Sequence, residues 1–171
     1  MSLLAIDGGP MVRPDKFAKF NTYDQRELDA ASRVIKSGQL SSFLGAAGEG
    51  FEGGNEVRAF EEELADFFLV KHAITFNSWT SGLIAAVGAL GLPMGSEVLV
   101  TPWTMTATAT AILHWNLIPV FVDVDFETFN MDPSKIESKL TSRTRAIMVA
   151  DIFGQSADMN RIIEIAKKNK L

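Results

Sequence analysis

The 171-residue chain has no cysteine, which excludes disulfides, thiolate metal sites and a cysteine nucleophile. It has no run of lysine and arginine and carries a formal net charge of −5, so it lacks the positive footprint of a nucleic-acid or anionic-membrane binder. No stretch reaches the roughly 18 uninterrupted apolar residues of a membrane span. The N-terminus MSLLAIDGGPMV also lacks the basic start and long apolar core of an export signal. A cytoplasmic protein is the expectation, and the leading Met-Ser-Leu is given no structural weight. Neither His72 nor His114 has a second histidine nearby, so no metal site is indicated. No GxxxxGK[ST] occurs, and no strand leads into the glycine-rich GAAGEGFEGG, so nucleotide-triphosphate and NAD sites lose support.

With 47% apolar and 22% charged residues, the chain has the profile of a soluble globular domain with a substantial core. Thr22-Tyr23-Asp24-Gln25 has the pattern of a capping box, and Leu28, Ala31, Val34 and Ile35 follow at helical spacing until Gly38. Ser41 to Gly54, with five glycines, is a loop. A second amphipathic helix opens with an Asn55 cap and runs to Phe68. Beyond His72, short apolar runs alternate with helical segments. AITF, EVLV, PVFVDVD and RAIMVAD read as strands; residues 80–90, 106–115, 133–139 and 157–168 read as helices. That rhythm predicts an α/β protein, with a mainly parallel sheet covered on both faces. Ligands of such sheets lie beyond the carboxyl ends of the strands.

Two segments at those ends stand out. In NSWTSGL, Thr80 and Ser81 fall where a helix after AITF would begin, and free N–H groups with hydroxyls at a helix N-terminus favour a phosphate. The same residues would serve as an ordinary cap, and spacing does not separate the two roles. Gly82 costs roughly 1 kcal/mol in a helix relative to alanine, so something packs closely on it, a ligand or another protein segment. In TPWTMTATATAI, Trp103 and Met105 flank Thr104, and a flat ring could stack there, although core packing is the commoner role of a lone aromatic. Asp123 and Asp125 fit turn and cap roles better than a metal or acid/base pair. Asp151 closes the IMVA strand at the ligand edge.

The order of these pieces from about Thr22 onward resembles the DegT–StrS family of pyridoxal-phosphate-dependent sugar aminotransferases, within the aspartate-aminotransferase (type I) fold. The resemblance is carried by SGQLSS, by the long segment from VRAFEEELADFF through NSWTSGL and TPWTMTATATAIL, and by IPVFVDVDFETFNMDPSKIESKL through FGQSADMNRIIEIAKK. It implies the three-layer large domain of a type I enzyme, incomplete here. Residues 1–54 form an N-terminal helix and glycine-rich loop, residues 55–171 are part of the cofactor-binding domain, and the C-terminal small domain is absent.

By that resemblance Thr80 matches the threonine that binds the phosphate of pyridoxal 5'-phosphate, and Ser81 supplies the adjacent N–H. Met105 stands where many members have a ring-stacking aromatic, with Trp103 at another often aromatic position and Thr104 between; either Met105 or Trp103 could cover the ring. Asp151 takes a position often held by histidine, and Gln155 helps form the adjoining loop. The lysine that attaches the cofactor and the carboxylate that keeps its pyridine nitrogen protonated are expected beyond Leu171, so no catalytic residue is assigned; Lys71 reads as a surface charge. The chain is then the N-terminal portion of a longer enzyme and inactive alone. The resemblance implies glutamate as amino donor and a nucleotide-linked keto sugar as acceptor. It also implies a homodimer, in which the 45–54 loop could reach a neighbour's site. A non-catalytic assembly module and a dehydratase of the same fold are the alternatives.

Overall fold

The computed structural model describes residues 3–40, 42–48 and 50–171; the expectation about the leading Met-Ser, and Ser41 and Glu49 of the glycine-rich loop, lie outside them. The chain forms two compact units, Met1–His72 and Ala73–Leu171. In the first, helix α1 (Gln25–Ser37) starts from a capping box on Asp24, not on Thr22. The Asp24 carboxylate accepts from the Arg26 N–H at 2.8 Å, and the Glu27 carboxylate accepts from the Asp24 N–H at 2.7 Å. The reciprocal box needs acceptors three residues apart, and Asp24 with Glu27 provides two carboxylates at that spacing. Gly38, at φ 73°, ends the helix as expected. Helix α2 (Asn55–Phe68) begins after Gly54, and Asn55, expected as the cap, is its first residue; its Oδ1 accepts from Arg58 at 2.6 Å. Arg33 of α1 pairs with Glu56 of α2. Neither helix buries a residue, so Leu28, Ile35, Phe60, Phe67 and Phe68 remain exposed.

The second unit runs α3 (Trp79–Ala89), β1 (Glu97–Val100), α4 (Thr106–His114), β2 (Ile118–Phe121), α5 (Pro133–Ile136), β3 (Thr144–Met148) and α6 (Met159–Asn169). The strands form one parallel sheet in the order β2-β1-β3, with Leu99 opposite Val120 on one side and Ile147 on the other. Central β1 is buried at all four positions because both faces are covered. Val98 and Val100 face Val87 of α3 and Ala111 and Ile112 of α4; Leu99, on the opposite side of the pleat, packs with Ile136 of α5 and Ile162 of α6. This is the three-layer α/β arrangement expected from the alternating pattern. Truncating fully buried Leu99 to alanine removes about 2–5 kcal/mol by the usual cost of a core cavity.

Pro119 sits on edge strand β2. The Ile118 and Val122 N–H groups donate to Ser96 and Val100 across to β1, so by alternation position 119, which has no N–H, faces the open edge. The segment AITF, predicted as a strand, joins no sheet. A strand exists by joining a sheet ladder, and Ala73–Phe76 belongs to no strand of the sheet among the described residues; Ile74 is 72% exposed. Among the described residues no helix is long and apolar enough to cross a membrane.

Candidate functional site

Where α3 begins and β1 and β3 end, the second unit opens a cleft of about 510 Å³. Its lining includes Thr80, Thr104, Met105, Thr108, Asp151 and Ile152. Four residues named from sequence, Thr80, Thr104, Met105 and Asp151, therefore meet at one place. The volume lies in the range that takes a small cofactor, and its position beyond the carboxyl ends of parallel strands is the customary one for ligands.

At the start of α3, Ser78 is the cap. Its Oγ accepts the Ser81 N–H at 3.2 Å and lies 3.1 Å from the Ser81 hydroxyl. The N–H expected of Ser81 as a phosphate donor is thus taken by the cap, and Ser81 does not line the cleft. The Gly82 N–H is used by the Ser78 carbonyl. The Trp79 and Thr80 N–H groups and the Thr80 hydroxyl have no hydrogen bond among the described residues. They lie at the positive end of the helix dipole. The close neighbour of Gly82 is protein: a β-carbon there would stand 2.9 Å from the Trp79 ring.

After β1, Thr104 and Thr108 share a 2.9 Å hydroxyl contact that fixes the entry to α4. Met105, 77% exposed, forms part of the cleft wall. Trp103 turns elsewhere, packing on Phe129 at 5.3 Å between ring centroids. Of the two ring-covering candidates, only Met105 lines the cleft.

After β3 the chain makes a tight 3-10 turn, Ile152–Gly154, with Phe153 at φ 55° and Gly154 at φ 79°. The Asp151 carboxylate accepts the Ala157 N–H at 2.8 Å. Gln155 joins this turn through its backbone, its N–H donating to the Ile152 carbonyl at 3.1 Å. The residue that sequence reasoning missed is Asn130, 3% exposed, whose side chain bonds both ends of the turn. Asp125 has the turn role expected of it. Its carboxylate accepts from the Thr128 N–H, the Thr128 hydroxyl and the Glu127 N–H. Those bonds, the Thr128 N–H first, hold it below the usual aspartate range. Among the described residues no lysine lines the cleft.

A model of the DegT/DnrJ/EryC1/StrS aminotransferase family matches residues 24–171. GDP-perosamine synthase of Caulobacter vibrioides is 41% identical over 118 residues, covering 69% of this chain and 32% of that protein. L-glutamine:2-deoxy-scyllo-inosose aminotransferase of Streptomyces kanamyceticus is 32% identical over 168 residues, covering 98% of this chain and 38% of that protein. The crystal structure of an aminotransferase from Psychrobacter cryohalolentis superposes with a TM-score of 0.80 at 35% identity, over 91% of this chain and 37% of that one. The chain thus spans between 32% and 38% of the length of these relatives.

Proposed function

Because this chain belongs to the DegT/DnrJ/EryC1/StrS aminotransferase family, we propose that it supplies the phosphate cradle and one ring face of a pyridoxal-phosphate site, in an enzyme that moves an amino group onto a keto sugar. One observation carries the reading: Thr80, Thr104, Met105 and Asp151, from three separate segments, line a single cleft. In this reading the Thr80 hydroxyl and the free N–H groups of Trp79 and Thr80 take the phosphate, in place of the Ser81 N–H that the cap consumes. Met105 lies along the ring, its polarizable sulfur suited to that contact. Asp151 borders the cleft at the end where β3 exits. When bound, pyridoxal phosphate supplies the electron sink that lets an amine carbon lose a proton. The residues of this chain bind and orient it; the attaching lysine and the carboxylate at the pyridine nitrogen belong to the remainder of the longer polypeptide.

The test uses that longer polypeptide. Thr80→Val should weaken pyridoxal-phosphate binding about 10–100-fold, the effect of losing a hydrogen bond to a charged group. Unchanged affinity in a cofactor titration removes the phosphate assignment.

For the substrate, the reading is a nucleotide-linked keto sugar with glutamate as donor, acted on by a homodimer. A second reading, a free keto cyclitol with glutamine as donor, is favoured by the reach of the similarity: 168 residues with the inosose enzyme against 118 with the GDP-perosamine enzyme. Assays pairing each donor with each acceptor separate the two. Loss of water from the sugar without incorporation of nitrogen would move the assignment to a dehydratase.

A further inference from the structure

We propose that Asn130 is a positioning residue for the cofactor cleft, acting through the turn that carries Asp151 and Ile152. The inference rests on the cofactor reading above. Asn130 follows β2 and is remote in sequence from the turn it holds, yet its amide spans that turn end to end. Its Oδ1 accepts the Ile152 N–H at 3.0 Å, and its Nδ2 donates to the Gln155 carbonyl at 3.0 Å. One planar amide thus presents an acceptor and a donor to the two ends of a four-residue turn, as a neighbouring strand would.

The turn needs such a hold. Phe153 is a bulky residue at φ 55°, a left-handed conformation that local sterics disfavour, and the surrounding structure must over-determine it. Closure by the Gln155 N–H to the Ile152 carbonyl is a single bond. Asn130 adds two more from a buried position, where an unmade bond is costly. Ile152 lines the cleft, and Asp151, immediately before it, lines the cleft while its carboxylate is fixed by Ala157. Among the described residues, the hydrogen bonds that locate Asp151 and Ile152 come from the turn itself, from Ala157 just after it and from Asn130.

Asn130 is itself placed by two backbone bonds. The Asp125 N–H donates to its carbonyl at 2.9 Å, and its own N–H donates to the Thr128 hydroxyl at 3.3 Å. The Asp125 carboxylate, which gathers Thr128, anchors that local loop. The path from the exit of β2 to the cleft wall is continuous.

The experiment compares the full-length protein with Asn130→Asp, Asn130→Ala and Gly154→Ala. Asn130→Asp keeps the acceptor and replaces the donor with an oxygen facing the Gln155 carbonyl. Gly154→Ala, at φ 79° with open space where the β-carbon would go, strains the same turn without touching Asn130. Ile162→Val, a core position that does not line the cleft and makes no hydrogen bond to the turn through its side chain, controls for general loss of stability. The readouts are pyridoxal-phosphate affinity, the visible circular dichroism of the bound cofactor, and kcat against KM. All three turn variants should weaken cofactor binding about tenfold or more, reduce the visible dichroism and lower kcat more than they raise KM. The control should match their loss of melting temperature with none of these changes. If Asn130→Ala fails to fold, Asn130→Asp and Gly154→Ala decide. Dichroism and affinity that follow the control in those two variants overturn the proposal. Wild-type protein that binds no pyridoxal phosphate instead overturns the functional reading on which it rests.

Discussion

Glu97 opens β1 at the end of the sheet opposite the cleft, 3% exposed and fully engaged. It accepts from the Thr141 hydroxyl at 2.5 Å and from the Thr144 hydroxyl at 3.4 Å, and pairs with Arg143 at 2.6 Å. The Thr141 hydrogen bond, with the Arg143 charge, holds its carboxyl below the usual glutamate range despite burial. A carboxylate whose folded pKa is depressed adds stability above its unfolded pKa and loses it as pH falls through the folded value. Glu97→Gln should therefore lower the urea midpoint most at neutral pH, and the gap from wild type should narrow in acid as the depressed carboxyl takes up its proton. A gap that persists undiminished in acid would refute this role. Neither Glu97 nor Asn130 was legible as special in the sequence. Their partners lie 44, 47, 22 and 25 residues away, a pairing that only the fold creates. Thr80, Thr104, Met105 and Asp151 were legible because each follows an apolar run or opens a helix, and the topology of a parallel sheet brings such ends together.

Among the elements, α3 and α4 show what periodicity omits. Gly88 in α3 faces Trp115 at the end of α4, and a β-carbon there would meet the ring at 2.3 Å. The indole N–H of Trp115 donates to the Ile84 carbonyl at 2.7 Å, so the ring cannot withdraw without losing that bond. Gly88→Ala should destabilise the protein by about 1–3 kcal/mol through overpacking, against a gain of about 1 kcal/mol in helix preference. In a Trp115→Ala background the same substitution should become stabilising, and a urea-denaturation double-mutant cycle measures the change of sign. Equal effects in both backgrounds would discard the contact as the cause. EVLV, PVFVDVD and RAIMVAD yielded β1, β2 and β3 because each apolar run has a paired neighbour. AITF is also a short, mostly apolar run and is not a strand here, since propensity describes a fit to a sheet that pairing must provide.

At the scale of the molecule, apolar surface is left uncovered in each unit. Phe67, Phe68 and Leu69 at the end of α2 are exposed in the first, and Ile74 and Trp79 in the second. Such surface is ordinarily buried in a longer polypeptide or an assembly. The 171-residue chain expressed alone should bind an apolar dye and associate progressively with rising concentration, whereas the longer polypeptide should bind no dye and stop at a defined dimer. Sedimentation and dye fluorescence check this, and a dispersed monomer with no dye response would contradict it. The proline on β2 makes the two rims of the sheet unlike. With the missing amide at position 119 turned outward, the β2 side offers a broken row of donors to any incoming strand, while the outer rim of β3 carries no proline. Among the described residues, the rim beside Thr144–Met148 is thus the side of the sheet whose backbone row is unbroken by proline and suited to receive a strand.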